Sequence, residues 1–194
     1  IYTAHGFHFY DGAPKKNWII YYPIEKFMSR YTDDLITITE EDYKLAKNRK
    51  FKGNIHHVHG VGVNTDKFVK LSEEDRQKLR VDKGYTNEFI ILCTGELNKN
   101  KNQAKLIEAM KDVVKKHPEA KLLLAGNGPE HDNLVKLIED LNLGDNVELL
   151  GYRTDIQDYV NICDLVVSAS HREGLPLNIM EAMICGKPVI ASDN

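Results

Sequence analysis

From Phe89 onward the hydrophobic period changes again and again, and that alternation leaves few folds open. EFIILCTG is a short apolar run of strand type, and NQAKLIEAMKDVVKKH carries Ala104, Ile107, Met110 and Val114 on one helical stripe. AKLLLAG and PEHDNLVKLIEDL repeat the pair, with Leu134, Leu137, Ile138 and Leu141 inward. NVELLG, DIQDYVNIC and DLVVSAS continue it. Such alternation predicts an α/β domain, a Rossmann-like doubly wound parallel sheet with helices on both faces.

The last unit, SASHREGLPLNIMEAMICGKPVIASDN, is the most informative. Gly174 breaks the run, Pro176 stands near a first helical position, and Gly186 and Pro188 mark the helix stop. Ligands of such sheets bind at the carboxyl ends of the strands, against a helix start. There the unpaired N–H groups and partial positive charge suit a phosphate. Glu173 lies in the turn and Glu181 more than one turn inside the helix. Carboxylates only accept, so they suit hydroxyls on either side of a phosphate rather than the phosphate itself. Two sugars flanking a diphosphate outline a nucleotide sugar; the same pattern also describes a capped helix with a solvated glutamate.

Glu173, seven residues and Glu181, within GLPLNIMEAMICGKPVIASD, resemble the signature of retaining GT4-type glycosyltransferases, which adopt the GT-B fold. TAHGFHFYDGAP, YPIEKFMSRYTDDLITITEEDYKLAK, GELNKNKNQ and LLLAGNGPE extend the resemblance over almost the whole sequence, toward the bacterial capsule and exopolysaccharide enzymes. The resemblance implies a partial N-terminal Rossmann-like domain over 1–66 and most of the donor-binding C-terminal domain over 88–194, and the polar, weakly patterned stretch 67–87 between them reads as a linker. The resemblance also implies a fragment of a protein roughly twice as long. The implied reaction moves a hexosyl or N-acetylhexosaminyl unit, with retention, from a UDP-type donor to a glycan or lipid-linked acceptor. The alternatives are a nucleotide-sugar 2-epimerase of the same fold and a donor-binding fragment without catalysis.

Within that resemblance Glu173 and His5 take the catalytic positions, with His5 facing the donor sugar. Gly95, Lys101, Tyr152, Arg153, Gly174, Leu175, Pro176, Leu177 and Glu181 form the donor site. Gly95 permits close backbone approach, and Lys99 and Lys101 bring positive charge to the sheet edge that bears Glu173. Glu96 stands where the family commonly has Arg, so the usual pair of cations is reduced to Lys101. GYRTD lies by the nucleobase in the family; Tyr152 suits stacking, Arg153 suits a phosphate or solvent, and Thr154 or Asp155 suits a helix cap. AGNGPE, with Gly126, Gly128 and a helix-starting Pro129, reads as a tight turn that lacks the third glycine of a dinucleotide fingerprint, and the resemblance implies that it stands at the cleft wall as a minor contributor to the donor site.

No Asp-x-Asp pair occurs in the sequence, so the expected enzyme needs no metal or other cofactor and meets the leaving-group charge with Lys101 and helix N–H groups. His57 and His59 of HHVH would share one strand face, which is too few ligands for a closed site. His8 is read as a plain loop histidine. Net charge −3 gives no hint of a nucleic-acid partner, and three cysteines without metal spacing argue against a secreted disulfide framework. The expected location is cytoplasmic, with segment 15–30 as a peripheral contact at the inner face of the plasma membrane. Its aromatic and basic residues suit anionic lipid or simple packing on its own domain, and Pro23 is expected to split it into two pieces. EEDYKLAKNR reads as a helix that Thr39 caps, with Asp42 three residues on.

Overall fold

A computed structural model describes residues 1–193. The protein divides into two compact units, Ile1–Gly62 and Val63 onward.

The first unit runs β1 (Tyr2–Ala4), α1 (Lys15–Met28), a 3₁₀ turn, β2 (Asp34–Thr37), α2 (Glu40–Asn48) and β3 (Asn54–His57). Its three strands are parallel in the order β1-β2-β3, as a partial Rossmann-like domain requires. The core is aromatic: Phe7 and Phe9 stack at 4.9 Å, and Phe51, Trp18 and Tyr22 close around them. Thr39 caps α2 by accepting from the Asp42 N–H at 3.1 Å. α1 runs unbroken through Pro23. Proline deprives only the Ile19 carbonyl of its donor, and Ile19 is exposed, so water can take that bond.

The second unit runs α3 (Glu73–Asp82), β4 (Phe89–Thr94), α4 (Gln103–Val113), β5 (Ala120–Ala125), α5 (His131–Asp140), β6 (Val147–Gly151), α6 (Ile156–Ile162), β7 (Leu165–Ser168), α7 (Leu177–Ile184) and β8 (Val189–Ala191). All five strands are parallel, in the order β6-β5-β4-β7-β8. Both faces are covered, which is why the strands read as continuous apolar runs. Ile90 and Leu92 of β4 pack with Tyr159, Ile162 and Ala182; Ile91 and Cys93 pack with Ile107, Met110 and Leu134 on the other side.

The unit boundary falls at Gly62/Val63 rather than at 66, and 67–87 is not a free linker. Ser72 caps α3 by accepting from the Asp75 N–H, and Phe68 and Tyr85 are core residues of the second unit. The stretch looks weakly patterned in the sequence because α3 holds its place with charge. Arg76 and Arg80 reach Asp164 at 2.5 and 3.1 Å, and Asp164 also accepts from the Ile90 N–H at 2.8 Å. Arg80 is buried, so removing the carboxylate strands a cation away from water. Asp164→Ala should therefore lower unfolding free energy by about 3 kcal/mol in a urea titration. Glu73→Ala, at the exposed end of the same network, should change it by less than about 1 kcal/mol.

Candidate active site at the strand-order reversal

The loops leaving β4, β5 and β6 are laced together by backbone hydrogen bonds. The Gly95 N–H donates to the Ala125 carbonyl at 2.9 Å, Leu97 N–H to that of Asn127 at 2.9 Å, and Gly126 N–H to that of Gly151 at 2.9 Å. The lacing requires glycine. A Cβ at position 126 would sit 1.9 Å from the Gly95 carbonyl oxygen, and one at 128 would sit 2.3 Å from that of Leu97. Gly126 and Gly128 thus hold the edge closed, while α5 starts at His131, beyond Pro129.

Strand order reverses between β4 and β7, and the loops after these two strands part there. Hydrogen bonds from side chains and backbone then bind one loop to the other. Asn100 donates to the Arg172 carbonyl at 2.9 Å, the His171 N–H donates to the Asn100 carbonyl at 2.7 Å, and Asn178 donates to the Thr94 carbonyl at 3.0 Å. In the middle, Lys101 Nζ stands 2.5 Å from Glu173 Oε1, with both residues' side chains about one-fifth exposed. The aliphatic stem of Lys101 crosses Gly95, where a Cβ would lie 3.3 Å from Lys101 Cε, and Gly95 has φ +145°. Cys93 lies buried beneath, its thiol pushed up to about 12 by desolvation, so it stays neutral.

Gly174, Leu175 and Pro176 form the turn into α7. Among the described residues no hydrogen bond reaches the N–H of Gly174, Leu175, Leu177 or Asn178, and Pro176 has no side-chain group with which to cap the helix. Four donors and the helix dipole therefore remain available to an anion beside the Lys101 ammonium. Glu181 is half-buried on α7, and its carboxylate makes no hydrogen bond or ion pair among the described residues. Burial raises this carboxyl above the ordinary glutamate range, and Lys67 offsets the rise in part.

Further along the edge, a cavity of about 340 Å³ is lined by Thr94, Gly95, Asn127, Tyr152, Arg153 and Ile156, among others. Tyr152 is 75% exposed at its mouth. Arg153 is not free to reach a phosphate: it grips Asp155 with two hydrogen bonds, at 2.9 and 2.8 Å. Asp155 stands at the N-cap of α6 but its carboxylate makes no capping bond, because Arg153 and Lys83 occupy its oxygens. Lys99 is exposed, and Glu96, at the position commonly Arg, accepts from the Asn98 amide at 2.8 Å.

The expected donor residues Gly95, Lys101, Gly174, Leu175, Pro176, Leu177 and Glu181 and the expected catalytic Glu173 thus gather at one edge. Tyr152 and Arg153 line the adjoining cavity. His5 belongs to the first unit, exposed just after β1. His8, also exposed, lies against the Tyr21 ring at 4.7 Å. His57 pairs with Glu40 at 3.4 Å and His56 with Asp34 at 2.8 Å. Among the described residues no group of three or more His, Cys, Asp or Glu is placed to hold a metal ion. Asn100 and Asn178, which join the two loops, are not singled out by the sequence reading. The available signal for Asn178 is a polar residue at the second position of an apolar helix start.

A glycine-laced, doubly wound sheet brings a cation, an acid and an open helix start together at its reversal point, an arrangement whose chemistry suits a phosphorylated ligand. The protein belongs to the family described as Glycosyl transferases group 1, which it matches over residues 72–194. It is 44% identical over its whole length to 51% of a Bacillus subtilis protein named as a glycosyltransferase, EpsD. It is 28% identical to 51% of the UDP-Gal:alpha-D-GlcNAc-diphosphoundecaprenol alpha-1,3-galactosyltransferase of Escherichia coli, again over its whole length. Among solved structures it resembles HepE of Anabaena in complex with UDP and glucose, with a TM-score of 0.81 and 26% identity, over 98% of this sequence and 52% of that one. The fold is therefore GT-B, and the chain spans about half the length of these relatives.

A raised carboxyl pKa has a definite consequence for stability. Glu181 disfavours the folded state above its folded pKa, and this penalty vanishes as pH falls below the unfolded value. Glu181→Gln should accordingly raise the melting temperature at pH 7 to 8 and leave it unchanged near pH 3. An equal shift at both pH values would show that the effect is not ionisation.

Proposed function

We propose that this protein holds the donor-binding half, and part of the acceptor-side half, of a retaining GT4-type glycosyltransferase. The observation that carries the reading is the Lys101–Glu173 pair, 2.5 Å long, beside four open N–H groups at the start of α7. On donor binding, Lys101 exchanges its carboxylate partner for the diphosphate, and the N–H groups of the turn share the charge. No metal takes part in this scheme. Glu173, released from Lys101, accepts from hydroxyls of the donor sugar. Glu181 accepts from the ribose hydroxyls; a half-buried carboxylate without a partner gains more from such bonds than a solvated one. Backbone groups of Tyr152 and Arg153 read the base at the cavity.

The donor is a UDP-sugar, in keeping with the UDP complexes among the structural relatives and the UDP-Gal named for the Escherichia coli protein. The sugar is a hexosyl or N-acetylhexosaminyl unit. Attack comes from the face that the diphosphate leaves, through an oxocarbenium-like state, with Glu173 as an orienting group and not a covalent nucleophile. His5, from the acceptor-side domain, donates a hydrogen bond to the donor sugar. The acceptor is a glycan or lipid-linked saccharide of cell-surface polysaccharide synthesis, met in the cytoplasm at the inner face of the membrane, where residues 15–30 make a peripheral contact. Among the described residues no helix is long and apolar enough to cross a membrane.

Calorimetry with UDP tests the site. Lys101→Ala and Glu181→Ala should each weaken binding about tenfold or more, equivalent to about 1.4 kcal/mol. Unchanged affinity in both variants would show that the donor binds elsewhere.

A further inference from the structure

The turn that faces the cavity has almost nothing of its own to hold it. Gly151 turns the backbone out of β6 at φ +67°. Among the described residues, no hydrogen bond reaches the backbone N–H or carbonyl groups of Tyr152, Arg153 or Thr154. The Arg153–Asp155 pair lies within the turn and stiffens it, and outside the turn the Arg153 guanidinium rests on the Tyr159 ring. Lys83 supplies the ionic anchor from outside. It caps the carboxyl end of α3, and its Nζ lies 2.6 Å from Asp155 Oδ2 and 3.0 Å from Asp158 Oδ2. Both cations stand on one buried ring: Lys83 Nζ is 5.2 Å and the Arg153 guanidinium 5.1 Å from the centroid of Tyr159. Side chains here are partly shielded, with Lys83 19% and Asp155 26% exposed, so solvent weakens the pairs less than on an open surface.

We propose that Lys83 and Asp155 form a positioning clamp that sets the height of the Tyr152–Arg153 backbone over the cavity, and that the protein's choice between pyrimidine rings depends on this clamp. The proposal rests on the reading of the cavity as the base subsite. A uracil ring presents N3–H as donor and O4 as acceptor, which match a backbone carbonyl and a backbone N–H. Cytosine presents the reverse, an N3 acceptor and an amino donor. Discrimination between them comes from leaving buried polar groups unpaired, and it is lost when the reading groups can shift to suit either ring. Neither Lys83 nor Asp155 needs to touch the base for this to hold. Their partners at the turn are Arg153, Asp158 and Tyr159.

The test measures binding of UDP, CDP and inorganic pyrophosphate to the full-length protein by calorimetry, for wild type, Lys83→Met, Asp155→Asn and Lys83→Arg. The wild type should prefer UDP to CDP. Lys83→Met and Asp155→Asn should weaken UDP about tenfold, a loss of about 1.4 kcal/mol, and bring UDP and CDP to nearly equal affinity. Pyrophosphate, which meets only Lys101 and the start of α7, should bind as before. Lys83→Arg, which keeps the ion pair, should recover most of the UDP preference. If Lys83→Met does not fold, the isosteric Asp155→Asn carries the comparison alone. An unchanged ratio of UDP to CDP affinity, or a parallel fall in UDP and pyrophosphate, overturns the clamp while leaving the site standing. Failure of the wild type to bind UDP or pyrophosphate overturns the site and the clamp together.

Discussion

An ammonium and a carboxylate held 2.5 Å apart, where a parallel sheet reverses its strand order, set the terms for the rest of this molecule. Such a pair needs two loops from distant points in the sequence to meet without a gap. β4 and β7 are neighbours in the sheet, yet their loops part at the reversal, where side chains and the His171 N–H bond to the Asn100 carbonyl rejoin them. Asn100 and Asn178 do so by bonding to backbone carbonyls of the opposite segment. The glycines at 95, 126 and 128 help by having no side chain where a neighbouring loop or the Lys101 stem passes. The edge is stiff because it is stitched by backbone hydrogen bonds, and it is open at the start of α7.

That division between a closed edge and an open helix start fits the proposed binding of a nucleotide sugar. Under the proposed function the diphosphate, the most highly charged part of the donor, would meet N–H groups that are already oriented. Glu181 shows the other side of the arrangement: burial without a hydrogen-bond or ion-pair partner among the described residues raises its carboxyl above the ordinary glutamate range, a cost that the proposed ribose contact would offset. Stability is recovered elsewhere, in the Arg76–Arg80–Asp164 network and in the two apolar layers of the second unit.

Much of this is legible in the sequence. The five strands and the helices between them follow from period changes and from Gly and Pro punctuation, because burial on both faces leaves a plain apolar signature. Glu173, Gly174, Lys101 and Glu181 are legible as a cluster because a helix start after a buried strand has a fixed place in such sheets. Three things are not legible. α3 looks like a linker because charges, not an apolar stripe, anchor it. Pro23 reads as a break in α1, but the bond that proline removes lies on the exposed side. Arg153 reads as a partner for phosphate or solvent, whereas its true partner, Asp155, is two residues away and shared with Lys83 from a helix that the pattern hides.

The most direct measurement is a crystal structure of the full-length protein with UDP. The account predicts the diphosphate against Lys101 Nζ and the N–H groups of Gly174 and Leu175, with the Lys101–Glu173 contact lengthened or broken and Glu181 on the ribose. A diphosphate bound away from the start of α7, with that ion pair intact beside it, would contradict the account.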